Sequence, residues 1–125
     1  VLDVECHGGK VATEVERWKA VRRPCIESRF DVAVLNVAGF APTVPQPEVH
    51  AVTYAPRVAL PVLMLSGQYD HIFPLETQAR PLFERLGTPP DDKRHIVAAG
   101  GHFVPRIDLM RESLAWFDEY LGAVR

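Results

Sequence analysis

Pro61-Val62-Leu63-Met64-Leu65-Ser66-Gly67-Gln68-Tyr69-Asp70 is the stretch whose reading decides the fold. Its apolar run is short, unbroken and closed by a small residue and a glycine. Such a run suits a strand covered on both faces, the usual condition of a parallel sheet. The turn that follows it holds a carboxylate. A second run, Arg94-His95-Ile96-Val97-Ala98-Ala99-Gly100-Gly101-His102, also passes from strand into loop and ends on a histidine. Two buried parallel strands therefore each deliver one titratable residue at the carboxyl end, where ligands and chemistry collect in open α/β sheets. An aspartate and a histidine brought together there make an orienter and a general base, two members of a nucleophilic triad.

Between these strands, Leu75, Ala79, Leu82, Phe83 and Leu86 recur at helical spacing, with Pro81 interrupting. The pattern predicts one loose turn and then a better helix from Pro81, since proline fits a first helical position. Gly87 is the expected C-cap. Downstream, Ile107, Met110, Leu114, Phe117, Leu121 and Val124 form a stripe at offsets of three and four, predicting a final helix that lies on the sheet and ends near Gly122. Upstream, Asp31-Val32-Ala33-Val34-Leu35-Asn36-Val37 is a further buried strand. A proline-rich connection over residues 41–56 follows it, expected as an ordered surface loop without much helix. At the start, Val1-Leu2-Asp3-Val4-Glu5 reads as a short edge strand and Cys6-His7-Gly8-Gly9 as a turn. Val11, Val15, Trp18 and Val21 then predict a helix over residues 10–23, ended by Pro24. The alternation implies three to four mostly parallel strands with flanking helices.

The ordered set of Gly67 to Asp70 after a strand, Gly100-Gly101-His102 after the next, and a closing helix resembles the C-terminal half of an α/β-hydrolase. It is most similar to the dienelactone-hydrolase and esterase-like branch, and covers roughly the last two thirds of the chain. The resemblance implies one partial domain, with residues 1–30 as an N-terminal strand and helix and residues 31–125 as the hydrolase portion. A complete α/β-hydrolase is about twice this length. The chain also begins on Val1, already inside a strand, which reads as a piece of a longer protein. A sheet interrupted in this way leaves a raw edge at the first strand, through which the chain would self-associate or pair with a missing N-terminal segment.

The resemblance implies hydrolysis of an ester or related acyl bond, with His102 as base and acid, Asp70 as its orienter, and no cofactor. It also places the 41–56 connection above the site, with Phe40, His50 and Tyr54 as candidate substrate contacts. The nucleophile is not written plainly. No Gly-x-Ser-x-Gly occurs, and Ser28, Ser66 and Ser113 stand in unsuitable contexts. Cys6 follows a strand and precedes two glycines and a helical pattern, so it is the elbow-like candidate, and dienelactone hydrolases use a cysteine here. Val4 stands where the elbow motif has glycine, an objection on steric grounds. The other candidate nucleophile is a serine not in this chain, and the alternative readings are a non-catalytic binding domain or a fragment that requires a missing N-terminal half.

Composition narrows the remaining classes. The 125 residues are 47% hydrophobic and 24% charged, ordinary for a folded domain, with a formal net charge of −2. That charge gives no electrostatic reason to expect nucleic acid or an acidic membrane as partner. Two cysteines, Cys6 and Cys25, make no disulfide framework, and no ligand spacing suggests a metal. No signal peptide or membrane span is visible, and a cytoplasmic setting is expected.

Overall fold

The computed structural model describes residues 29–40 and 50–123 in full, and residues 2–6 and 9–14 through their strand pairing. Five strands lie side by side in chain order: β1 (Leu2–Cys6), β2 (Gly9–Glu14), β3 (Val32–Asn36), β4 (Val62–Gly67) and β5 (Lys93–Ala98). β2 to β5 run parallel, and β1 returns antiparallel along the edge. The helices are α1 (Ala51–Tyr54), α2 (Arg80–Arg85) and α3 (Arg106–Leu121). This is the parallel sheet with flanking helices that the two apolar runs predict.

β4 is the centre of the molecule, and all six of its residues are buried. Alternation then sorts its side chains into two cores. On one face Val62 and Met64 join Ala33 and Leu35 beneath Ala79, Leu82 and Leu86. On the other Leu63 and Leu65 join Val32 and Val34 beneath Val104 and Trp116. Each fully buried aliphatic side chain of this size contributes about 1.5–3 kcal/mol, so the strand that carries the acid turn is also the best anchored. β3 is followed directly by Val37, whose φ of 50° is strained for a β-branched residue. Its amide still donates to the Leu65 carbonyl at 2.9 Å, which holds the strand exit against β4.

The segment between β4 and β5 follows its sequence pattern. A wide helical turn over Leu75–Ala79 leads into α2, with Pro81 in the first turn, where no amide is needed. α3 ends at Leu121, and Gly122 takes a φ of 82° as its cap.

Three expectations are corrected. The helix expected over residues 10–23 begins instead as strand β2, and residues 15–28 lie outside the described set. Val11 fits the helical stripe but also alternates with Thr13 as a strand residue does, and parallel pairing with Val32–Leu35 decides between the two. Gly87 is not a left-handed cap: a Cβ there would lie 2.1 Å from the Pro56 carbonyl oxygen, so glycine is required for close approach. Finally, the stripe on α3 does not all face the sheet. Phe117 and Leu121 pack, together with Leu109 and Tyr120, around the buried Trp116, whereas Ile107, Met110 and Leu114 are exposed.

Candidate active site

Asp70 leaves β4 in a turn that its own side chain closes. Oδ1 accepts the Ile72 amide at 2.8 Å and the Phe73 amide at 3.0 Å, the side-chain-to-backbone pattern that makes aspartate a turn former. The same carboxylate receives His102 Nδ1, at 3.1 Å from Oδ1 and 3.0 Å from Oδ2. A carboxylate can only accept, so Nδ1 carries the proton and Nε2 is left as the basic nitrogen. The Asp70 side chain is 1% exposed and that of His102 is 18% exposed, so the base reaches solvent while its orienter does not. Burial works to raise the Asp70 pKa. The Phe73 amide, the His102 ring and the Ile72 amide outweigh it and hold the carboxyl below its ordinary value.

The two loops are bound to each other through the backbone. Gln68 N donates to the Ala98 carbonyl and Tyr69 N to the Gly100 carbonyl, both at 2.9 Å. Register explains this meeting: Gly67 pairs with Ala98, so both strands end at one level and their exits lie side by side. Two aromatic rings flank the histidine. Phe73 is buried, 6.0 Å from the imidazole, and Phe103 stands at 5.2 Å edge-on, 83% exposed. Gln78 completes the frame. With its amide nitrogen turned toward two carbonyls, it donates to Phe40 at 2.8 Å and Ile72 at 3.1 Å, tying the β3 exit to the acid turn.

Asp70 and His102 are thus brought together as the sequence predicts. Phe40 and His50 also meet, with ring centres 6.2 Å apart, and His50 caps α1 by accepting the Val52 amide. Tyr54 turns instead toward the guanidinium of Arg57, 5.7 Å from its ring. The rings against His102 are Phe73 and Phe103, which the sequence reasoning missed. Their positions, three residues after the acid and one after the histidine, were the available signal.

Cys6 requires a correction. It pairs with Gly9 where an antiparallel strand enters β2, so it stands on no strand-to-helix elbow. Because β2 runs parallel to β4, that point lies at the amino ends of the parallel strands. The acid and histidine loops leave from the carboxyl ends, about eight residues away, or roughly 25 Å of strand. Ser66 is no substitute: it is buried, with Oγ 2.9 Å from His95 Nε2. No group of metal-ligating side chains occurs among the described residues. None of their helices is long and apolar enough to cross a membrane.

The chain is similar to several solved structures over most of its length. A cold-adapted esterase from an Arctic intertidal metagenomic library matches with a TM-score of 0.63 at 26% identity, over 78% of this chain and 42% of that one. The monoacylglycerol lipase of Paleococcus ferrophilus matches at 0.63 and 19% identity, over 80% of this chain and 63% of that one. TT1662 from Thermus thermophilus matches at 0.65 and 24% identity, over 86% and 51%. The last two likenesses concern the fold alone. The chain spans less than two thirds of each of these proteins, and less than half of the esterase. No curated protein sequence matches. The profile of the family described as Serine hydrolase (FSH1) matches residues 11–114, well over half of the chain. On an α/β-hydrolase sheet, and with that match, the chain belongs to this serine hydrolase family.

Proposed function

We propose that this chain carries the acid and the base of an ester hydrolase, and that Asp70 and His102 are those two groups. The observation that carries the reading is the hydrogen bond from His102 Nδ1 to a buried carboxylate, made where two parallel strands end. In the reaction, His102 Nε2 takes the proton of a nucleophilic hydroxyl as it attacks the ester carbonyl. It then passes that proton to the leaving alcohol, while Asp70 fixes the ring and stabilises its charged form. No cofactor enters these steps. Membership of a serine hydrolase family favours a serine as nucleophile, from a segment outside the described residues. Cys6 is disfavoured by its distance.

A second reading has support of its own. The chain spans only part of its structural relatives, and Phe103 and Ile107, close in sequence to His102, are exposed apolar side chains. Both suit a site completed by a further segment of hydrolase fold, carried by a longer chain or a partner.

Hydrolysis of p-nitrophenyl acetate and butyrate by the purified chain tests the first reading, beside His102→Ala and Cys6→Ala. Turnover that falls to background in His102→Ala and is unchanged in Cys6→Ala supports the assignment of His102 as the base and of a nucleophile other than Cys6. Turnover that survives His102→Ala sinks the assignment of the base. A folded wild-type chain without turnover favours the second reading or a non-catalytic binding domain.

A further inference from the structure

The acid and histidine loops touch at one point where no side chain fits. A Cβ built on Gly67 would lie 1.8 Å from the Gly101 carbonyl oxygen, 2.8 Å from its carbon and 2.9 Å from the Gly100 oxygen. Gly67 is the last residue of β4, buried, and three residues before Asp70. Gly101 is the residue before His102. Among the described residues the positive φ values belong to Val37 and Gly122, so Gly67 is required for space and not for an unusual backbone angle.

We propose that Gly67 is a positioning residue for the Asp70–His102 pair, acting by leaving room for the histidine loop to seat on the end of β4. The inference rests on the hydrolase reading for its consequence in catalysis, but its structural content stands apart from it. Any side chain at this position forces a separation of more than about 1 Å, because carbon and oxygen do not approach much within 3 Å. Which partner yields is decided by packing. β4 is a central strand, buried throughout and paired on both sides, whereas Ala99 and Gly101 are exposed. The histidine loop therefore moves and β4 does not.

The displacement is large compared with the tolerance of the contact. His102 Nδ1 sits 3.0 and 3.1 Å from the Asp70 oxygens, and a separation of about 3.6 Å is no longer a hydrogen bond. The carboxylate cannot follow, since the Ile72 and Phe73 amides hold it. A methyl group on Gly67 thus unseats the ring from its orienter without touching either side chain.

The test compares Gly67→Ala with Gly87→Ala. The second variant imposes a similar clash, 2.1 Å from the Pro56 carbonyl oxygen, far from the pair in the chain. The readout is the downfield Nδ1–H proton resonance of His102 in the purified chain, assigned by its absence in His102→Gln. Far-UV circular dichroism reports the fold. The expected result is loss of the resonance in Gly67→Ala with the fold retained, and its persistence in Gly87→Ala. If the wild type hydrolyses p-nitrophenyl acetate, kcat in Gly67→Ala falls about 100-fold with KM little changed. A resonance that persists in Gly67→Ala overturns the proposal. So does loss of the resonance in both variants, or a Gly67→Ala chain that no longer folds, which would make Gly67 a residue of the fold. A wild type that folds but shows no turnover bears on the hydrolase reading alone and leaves the resonance to decide this one.

Discussion

Asp70 shows how one side chain can satisfy two readings at once. A turn aspartate that caps local amides is the ordinary use of the residue, and Asp70 does that with Ile72 and Phe73. The bonds that close the turn also fix the carboxylate that receives His102, so the structural role prepares the chemical one. A different logic holds at His95. Its Nε2 lies 2.9 Å from the buried Ser66 hydroxyl, and its ring stacks 5.1 Å from Phe83. Burial, and then the positive charge of Arg80, push its pKa below the ordinary value of 6.5. The unfolded chain then takes up this proton at a higher pH than the folded chain does. Its contribution to stability is complete above about pH 6.5 and is lost as the pH falls through the range beneath. The urea midpoint of the wild type should therefore drop between pH 7 and pH 5 by more than that of His95→Gln, which keeps a hydrogen-bonding group without the titration. Parallel pH dependence in the two proteins would refute the role assigned to burial. The Asp70–His102 pair was legible in the sequence because strand ends and glycine turns announce themselves locally. The Ser66–His95 pair was not, because their contact depends on which residues of two strands share a face.

At the scale of elements, α3 carries two overlapping periodic sets. Ile107, Met110, Leu114, Phe117 and Leu121 make one, and Leu109, Trp116 and Tyr120 make another at equally good helical spacing. The sheet takes the second set together with Phe117 and Leu121 of the first. Trp116 is 1% exposed beside Val104, with the Arg94 guanidinium 5.1 Å over its ring, and Tyr120 bonds Asp92 at 3.1 Å. These anchors to β5 and the turn before it rotate Ile107, Met110 and Leu114 outward. Trp116→Ala should cost about 3–5 kcal/mol in urea denaturation. Ile107→Lys and Leu114→Lys should each stay within about 0.5 kcal/mol of wild type. Equal losses in all three would mean that the outward set is packed in solution. The same limit applies to β2, where period two and period 3.6 both fit Gly9–Glu14 and the partner strand chose.

At the scale of the whole molecule, burial among the described residues falls from β4 toward β5. β4 is covered on both faces and paired with β3 and β5, while in β5 Ala98 is buried and the other five residues are half-buried or exposed. Native-state hydrogen exchange should find the slowest amides in β4 and β3, with β5 exchanging faster. A most protected β5 would contradict the two-core arrangement. β1 occupies the edge of the described sheet, as its place in the chain predicts. The sequence by itself determined the parallel sheet, the loop that carries Asp70, the loop that carries His102 and the closing helix. Each is written in contiguous residues, as an apolar run, a glycine turn or a helical period. Tertiary structure alone decided that Cys6 lies at the far edge from the pair, that Ser66 meets His95, and that Gly67 must have no side chain. Those facts depend on strand direction, register and the approach of segments far apart in the chain, and no local pattern encodes distances of that kind.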